Sequence, residues 1–182
     1  RHILVQVITF LGNQITGRIM EFLAVEKSAL KRKLLNEILV RIGATALPTI
    51  YGYLKDERWY VVRNAIAILG DIRNQDSLAQ LTPLLQHDEI RVRRETIRAL
   101  TKIGGKRASN KLTSLLQDKD EYGREAAIEA LRELKEERAV TPLIEVLACD
   151  PDDDVRQAAH DALHEITGQN FGWNWQAWRR WL

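Results

Sequence analysis

The chain has few of the residues that define several protein classes. Cys149 is the only cysteine among 182 residues, so no internal disulfide forms and a disulfide-stapled scaffold is excluded. With 10 glycines and 4 prolines, the sequence is poor in turn residues, which argues against a loop-rich or all-β fold. No apolar run reaches the roughly 18 residues that a membrane-spanning helix needs, and no signal-peptide pattern is present. We therefore expect no membrane contact and a cytoplasmic location.

Catalytic and metal-binding motifs are also missing. The sequence has no glycine-rich phosphate loop, nucleophile elbow, paired-cysteine motif or H-E-x-x-H motif. His160 and His164 have the i, i+4 spacing with which two histidines can share a metal, but they lie on one predicted helix and we interpret them as part of a solvated face. Cys149 has no histidine with which to form a dyad, so we interpret it as an incidental thiol. We predict no catalytic residue, no cofactor and no bound metal.

An apolar repeat extends through nearly the whole chain. Four columns of apolar residues recur at spacings of 30 to 32 residues, which defines a repeating structural unit. The first column is Leu23, Leu54, Leu85, Leu116 and Leu147. The second column is Ile19, Ile50, Leu81, Leu112 and Leu143. The third column is Leu11, Ile42, Ile72, Ile103, Leu134 and Ile166. The fourth column is Leu39, Leu69, Leu100, Leu131 and Leu163.

Each repeat contains two helical patterns separated by an acidic turn. The first pattern is short, as at 77–86, and the second is longer, as at 90–103 and 154–166. Aspartates in the turn can cap the second helix and complement its dipole. A helix pair of this size cannot bury its apolar face alone, so successive pairs must stack. We predict an all-α fold, a right-handed α-solenoid (α-α superhelix) of stacked antiparallel helix pairs.

The repeats predict a single domain over residues 1–182. It begins with a leading helix at 2–12 and ends with a tryptophan-rich cap at 168–182. The five repeats between them are 13–43, 44–73, 74–104, 105–135 and 136–167.

The two ends of this domain carry different apolar patterns. Trp175, Trp178 and Trp181 recur at helical spacing, and we interpret them as cover for the open edge of the core, with an aromatic docking site as the alternative. The leading segment lacks a comparable polar cap, so we expect the chain to be the C-terminal part of a longer protein or to bury this end in an oligomer. Its apolar residues are Ile3, Leu4, Val5, Val7 and Ile8.

Two segments carry a family resemblance. Asp-Glu-Ile-Arg-Val-Arg at 88–93 and Asp-Val-Arg-Gln-Ala-Ala at 154–159 place an acidic turn before a valine, arginines and small residues. This pattern resembles the HEAT repeat in its short bacterial, PBS-lyase-like form. The resemblance implies an α-solenoid that acts as a scaffold or binding module. It also implies, as a lesser alternative, a lyase- or hydroxylase-associated repeat module, because bilin lyases and deoxyhypusine hydroxylase contain related repeats.

The same resemblance implies a ladder of ion pairs between repeats. In the family, the arginine of the Val-Arg motif pairs with the aspartate of the preceding turn. The matching arginines are Arg93, Arg124 and Arg156, and the expected partners are Asp88, Asp120 and Asp154. In the second repeat the arginine is one position late, so we expect Arg63 to face the surface.

Charge changes sign along the chain. Residues 1–116 hold 19 Lys and Arg against 10 Asp and Glu, whereas residues 117–165 hold 6 against 15. A further column contains Val61, Val92 and Val155 near the start of the second helices, and we call it the valine column. Counted from it, offsets 2, 6, 9 and 10 of each second helix are expected to point away from the core, toward a predicted concave face. In the first repeat these positions are Lys33, Glu37, Val40 and Arg41. The predicted partner-binding residues on this face are Arg63, Arg94, Arg98, Lys102, Glu125, Glu129, Glu133 and Asp161.

Three partner classes fit this charge pattern. The first is a protein held in the concave face, which makes the chain a non-enzymatic protein-binding scaffold. The second is nucleic acid bound through the basic stretch 91–111, although the acidic repeats that follow would repel phosphate. The third is self-association through the unlike-charged ends. We favour the protein partner, and we keep nucleic acid as the alternative.

Overall fold

The computed structural model describes the backbone of residues 2–182 and the side chains of residues 11, 12 and 14–182. Within these residues all regular secondary structure is helical, and no strand is present. The α-helices are α1 His2–Val25, α2 Ala29–Ile42, α3 Leu47–Tyr53, α4 Trp59–Ile72, α5 Leu78–Leu81, α6 Ile90–Ile103, α7 Gly105–Ser114, α8 Glu121–Glu133, α9 Val140–Cys149, α10 Asp153–Thr167 and α11 Trp175–Trp181. Short 3₁₀ segments lie at Gly43–Ala46, Gln75–Ser77, Thr82–Gln86, Leu115–Gln117 and Glu137–Ala139.

The chain divides into two compact units between Ile103 and Gly104. In the first unit, which ends at Ile103, α4 packs against both α2 and α6. In the second unit, Gly104–Leu182, α10 packs against both α8 and α9. Helices that follow one another pack as antiparallel pairs, and the pairs stack within each unit. The predicted all-α architecture, an α-solenoid, is therefore confirmed, whereas the single domain with its repeat boundaries stays a prediction.

Three of the four apolar columns form the core of the stacks. The column that contains Leu39 and Leu131 is fully buried in all five repeats. The columns that contain Leu23 and Ile19 are also buried throughout. Burial of each such side chain stabilises the fold by about 1.5–3 kcal/mol. The column that begins at Leu11 is less well covered: Leu11, in the middle of α1, is 49% exposed, and of the other members only Ile103 is buried.

The first helix is continuous across the predicted boundary between a leading helix and the first repeat. α1 extends from His2 to Val25 and passes through Gly12 and Asn13 without a break. An interior glycine costs a helix only about 1 kcal/mol relative to alanine, and no proline is present in this segment to stop it. The apolar side chains on which the sequence predicted an earlier partner helix lie outside the described side chains; they are Ile3, Leu4, Val5, Val7 and Ile8.

The second helices match the sequence prediction more closely than the first helices do. The predicted helix at 90–103 is α6, and the predicted helix at 154–166 is α10, which is one residue longer at each end. The predicted first helix at 77–86 is instead a short α-helix that continues as a 3₁₀ segment from Thr82. Pro83 explains the change, because proline has no N–H to donate to the preceding turn.

The turns before α6, α8 and α10 are each held by an arginine of the helix that follows. The guanidinium Nη1 donates a hydrogen bond to the backbone carbonyl six residues earlier, so one side chain ties the helix to the start of its own turn. These bonds join Arg93 to His87 (2.8 Å), Arg124 to Asp118 (2.9 Å) and Arg156 to Asp150.

The carboxylate partners of these arginines correct the expected ladder. Arg124 pairs with Asp150, which begins the turn of the following repeat, and not with Asp120. Asp120 instead caps α8 by accepting the N–H of Tyr122 at 3.2 Å. A carboxylate at this position satisfies a free backbone N–H of the helix start.

The other two predicted partners differ as well. Arg156 pairs with Asp153, three residues before it on α10, and not with Asp154. Arg93 does contact Asp88, but through the backbone carbonyl, which accepts from Nη1 at 3.1 Å. Arg124 therefore makes the expected kind of pair between repeats with an unpredicted partner, whereas Arg156 pairs within its own helix.

Candidate functional site

Four predicted partner-binding residues lie on exposed surfaces of α4 and α6 in the first unit. We call Arg63, Arg94, Arg98 and Lys102 the basic group; all four are exposed. Lys102 Nζ lies 2.8 Å from Asp71 Oδ1, so this ion pair ties α6 to α4. Arg98 lies 3.6 Å from the carboxylate of Glu95 on its own helix. Such exposed pairs contribute about 0–1 kcal/mol, so these cations remain available to a partner.

An aromatic ring that the sequence analysis did not single out lies beside the basic group. Arg63, exposed as expected, has its guanidinium carbon 5.8 Å from the centroid of the Trp59 ring, and that of Arg91 lies 4.8 Å from it. Both distances suit cation–π attraction. Arg91 lies 31 residues after Tyr60, which is the neighbour of Trp59 in the sequence. The repeat period therefore places Arg91 beside Trp59 in the next repeat, and it could have indicated this contact.

The other four predicted residues lie on α8 and α10 in the second unit. We call Glu125, Glu129, Glu133 and Asp161 the acidic group; the three glutamates are exposed and Asp161 is half-buried. That the basic and acidic groups line one trough stays a prediction.

A cation lies among the acidic group and partly neutralises it. Arg132 donates to Glu129 Oε1 at 2.6 Å and to Glu165 Oε1 at 2.9 Å, which links α8 to α10. The hydrogen bond with the Glu129 carboxylate raises the pKa of Arg132 above its ordinary value. The acidic group is therefore less negative than its four carboxylates imply.

The two histidines of α10 have different surroundings. His160 is half-buried, its Nδ1 lies 2.9 Å from Asp161 Oδ1, and its ring stacks on Trp173 with centroids 5.2 Å apart. His164 is exposed. A small cavity of about 330 Å³ opens beside them, with Arg132 in its wall. Among the residues that the structure describes, no cluster of three or more His, Cys, Asp or Glu side chains could hold a metal ion.

A buried ion pair lies at the turn between α9 and α10. Arg124 donates to both carboxylate oxygens of Asp150, at 2.7 and 2.9 Å, and the two side chains are only 10% and 5% exposed. The hydrogen bond with Asp150 raises the pKa of Arg124. Cys149 lies next to this pair and is exposed. The position of the pair inside the turn indicates a structural role.

A wide cavity lies on α2, in the first unit. It has a volume of about 600 Å³. All four face positions predicted for the first repeat line it, together with four further residues. The complete lining is Ala29, Arg32, Lys33, Asn36, Glu37, Val40, Arg41 and Asp71.

The C-terminal tail forms a small aromatic cluster. Trp178 is fully buried and its Nε1 donates to the carbonyl of Gly172 at 2.9 Å. Phe171 packs edge-to-face on Trp178, with centroids 5.0 Å apart, and α11 packs against α9. Trp173 and Trp181 remain 55% and 42% exposed. The tail therefore packs on α9 in the second unit and also presents aromatic surface, and its role as a cap stays a prediction.

Stacked helix pairs with buried leucine columns and arginine-held turns define a helical-repeat protein. The family model described as HEAT repeats matches residues 19–95 and 79–164. Together these matches cover most of the chain, so the chain belongs to the HEAT repeat family. No curated protein matches it.

Three solved structures show the same fold at low sequence identity. A chain of the CpcE and CpcF complex of phycocyanin lyase from Nostoc sp. PCC7120 matches at 21% identity and a TM-score of 0.66, over 81% of this chain and 96% of that one. Human deoxyhypusine hydroxylase, in complex with glycerol, matches at 22% identity and a TM-score of 0.56, over 88% of this chain and 65% of that one. An engineered protein matches at 19% identity and a TM-score of 0.50, over 85% of this chain and 80% of that one. The first match agrees with the expected PBS-lyase-like type of repeat.

In the described part of the chain, no helix has both the length and the apolar character needed to cross a membrane.

Proposed function

We propose that the chain is a non-enzymatic binding module that holds a protein partner on the exposed faces of its second helices. In this proposal the basic group forms one half of the binding surface and the acidic group forms the other half. A partner with complementary charge would be steered toward such a surface by its field before contact.

The separation of buried apolar residues from exposed charged residues on a second helix supports the proposal. On α6, Leu100 and Val92 are fully buried, whereas Arg94 and Arg98 are exposed. Stability therefore depends on the apolar columns, and the charges at the face positions are not required for folding. Extended surfaces of this kind in repeat proteins suit the binding of other chains.

Nucleic acid is a weaker alternative. Phosphate binding requires positive charge that is continuous over several repeats. The acidic segment that follows the basic stretch 91–111, with 15 Asp and Glu against 6 Lys and Arg at 117–165, would repel phosphate. A role as a lyase- or hydroxylase-associated module has support only from fold similarity at 21–22% identity, which carries no chemistry.

Charge reversal tests the proposal. The double variant Arg94→Glu, Arg98→Glu is expected to lose partner capture in a quantitative affinity pull-down from the native host while remaining folded, because exposed substitutions usually change stability by within about 0.5 kcal/mol. Circular dichroism and the urea midpoint report folding. Retained capture by this variant would refute the assignment of the basic group to the binding surface.

A matched control separates the two partner classes. Lys106→Glu with Arg107→Glu removes the same charge from exposed positions at the start of α7, which is a first helix within the basic stretch. A protein partner on the second-helix faces should be lost only with the Arg94 and Arg98 variant. Nucleic acid bound through 91–111 should be weakened by both variants. Its affinity for mixed DNA and RNA should also fall steeply between about 50 and 200 mM salt.

A further inference from the structure

The cavity on α2 contains an unsatisfied acceptor. In the part of the chain that the structure describes, Asn36 Oδ1 is the one buried side-chain oxygen or nitrogen that lacks a hydrogen-bond partner. Leaving a buried polar group unpaired costs about 1–3 kcal/mol, so such a group in a native fold calls for an explanation. Asn36 is one of the residues that line the cavity, so a donor placed there could satisfy it.

The charged side chains around Asn36 have an excess of cations. Lys33 and Arg41 are both exposed, and neither has an ion pair in the described structure. Arg32 donates weakly to the carbonyl of Glu26 at 3.4 Å. Glu37 also lines the cavity and offsets one positive charge.

The second carboxylate in the wall has a partner outside the lining. Asp71 lies 2.8 Å from Lys102 Nζ, so its charge is compensated there. Of the cavity's own charges, three cations thus face one uncompensated carboxylate, that of Glu37.

The arrangement along α2 matches an extended chain better than a compact ion. Lys33, Asn36, Val40 and Arg41 follow the i, i+3, i+7 and i+8 spacing of one helix face, so the cations lie on either side of the acceptor. A fully deprotonated anion, such as sulfate or a free carboxylate, would bind the cations but would give Asn36 Oδ1 no donor. A peptide supplies both groups, because its backbone carries N–H donors between its side chains.

We propose that this cavity binds an acidic peptide segment of the protein partner. A backbone N–H of that segment donates to Asn36 Oδ1, and its carboxylates pair with Lys33, Arg41 and Arg32. Val40 supplies the apolar contact between these polar groups. The inference rests on the proposed function, and it adds the chemistry of the segment and the place where it binds.

A fluorescein-labelled oligoglutamate peptide is the probe, and its binding to the full chain is followed by fluorescence anisotropy at low salt. Lys33→Glu with Arg41→Glu should weaken binding by about tenfold or more, because each step of tenfold needs only 1.4 kcal/mol. Lys106→Glu with Arg107→Glu, the control of equal charge change, should leave binding unchanged. Equal losses in both double variants, or equally tight binding of oligolysine, would overturn the proposal.

The hydrogen bond to Asn36 has its own test. Asn36→Ala should weaken binding of oligoglutamate by about fivefold, within the range for loss of one hydrogen bond. Binding of the same peptide with N-methylated backbone amides should already be weak and should not respond to Asn36→Ala. An equal response of the two peptides would remove the backbone contact and overturn the proposal.

Two further outcomes separate this inference from the proposed function. If oligoglutamate shows no saturable binding while pull-down of the host partner still depends on Arg94 and Arg98, the inference fails and the proposed function stands. Tighter competition by an oligodeoxythymidylate than by unlabelled oligoglutamate would also overturn the inference, because it would identify the cavity as a phosphate site.

Discussion

Replacing Asp150 with asparagine is expected to destabilise the second unit by about 3 kcal/mol, because removal of one partner from a buried ion pair leaves the other charge uncompensated. The structure places this value at the lower end of the usual range of about 3–5 kcal/mol. Asparagine retains an Oδ1 that can still accept the N–H of Asp152, which Asp150 accepts at 3.0 Å. What it loses is the charge that holds Arg124 through bonds of 2.7 and 2.9 Å.

A double-mutant cycle isolates the pair. Arg124→Met removes the other charge, and the cycle is expected to give a coupling of about 2–3 kcal/mol. A second cycle on Arg132 and Glu165 provides the matched control, because that pair joins α8 to α10 in the same unit but its side chains are 30% and 55% exposed. Exposed pairs couple by about 0–1 kcal/mol.

Urea unfolding followed by tryptophan fluorescence is the appropriate assay. Four of the five tryptophans lie in the second unit, and one of them, Trp178, is fully buried. The fluorescence signal therefore reports mainly on the unit that contains the ion pair. A coupling for Arg124 and Asp150 no larger than that for Arg132 and Glu165 would refute the reasoning from burial.

Three other predictions concern stability. Gly70→Ala should lower the free energy of unfolding in urea by about 1–3 kcal/mol, because its Cβ would lie 2.8 Å from Ala99 Cα. Gly52→Ala, whose Cβ would meet no atom within 4 Å, should raise the free energy of unfolding by about 0.5–1 kcal/mol, and equal effects of the two variants would contradict the packing argument. The hydrogen bonds from Arg58 lower the pKa of Asp56 to about 2 from 3.8, so this carboxylate stabilises the fold above about pH 4 and ceases to do so as the pH falls toward 2. Asp56→Asn should therefore flatten the loss of stability in that pH window, and an unchanged slope would count against the pairing. Leu131→Ala should cost about 2–5 kcal/mol in urea unfolding, because Leu131 is fully buried, and a change of under about 1 kcal/mol would mean that the site is not core.

Periodicity made the architecture predictable. A column such as Leu39 to Leu163 is buried in every repeat because the same helix face meets the same neighbour each time. The ends of α6 were also predictable, since an apolar pattern at 3.6-residue spacing ends where the glycines begin, at Gly104. Pro83 was visible in the sequence as well, but its local effect on the helix type was overlooked.

The polar contacts were harder to predict. The turns before α8 and α10 offer several aspartates within a few residues, and the sequence pattern does not say which one faces the guanidinium. That choice depends on where the next repeat places Asp150 relative to Arg124. The resemblance indicated the correct arginine and the wrong carboxylate, because Asp120 is already used as the cap of α8.

The candidate site was predicted in part. Offsets 2 and 10 gave exposed positions such as Arg94 and Glu133, whereas offset 9, also expected on the outer face, falls on the buried Gly70 and Thr101. They did not reveal that Arg132 holds Glu129, because that bond depends on side-chain conformation and on Glu165 from the next helix. They gave no sign of the unpaired Asn36 Oδ1, because burial of a single atom depends on how the surrounding side chains pack.

The arginine hydrogen bonds across the turns before α8 and α10 determine where a repeat can contain an additional residue. Arg124 and Arg156 are 32 residues apart, yet each donates to a carbonyl six residues before it. The additional residue must therefore enter before the turn. Asp118 follows Leu116 by two positions, and Asp150 follows Leu147 by three.

Helix type absorbs this difference. Leu115–Gln117 is 3₁₀, whereas α9 remains α-helical to Cys149. Two residues of 3₁₀ helix rise about 4 Å and three residues of α-helix rise about 4.5 Å, so both reach nearly the same height. A one-residue insertion is thus tolerated at the end of a first helix and excluded from the turn, and descendants of one ancestral repeat can drift in length there without disturbing the stack.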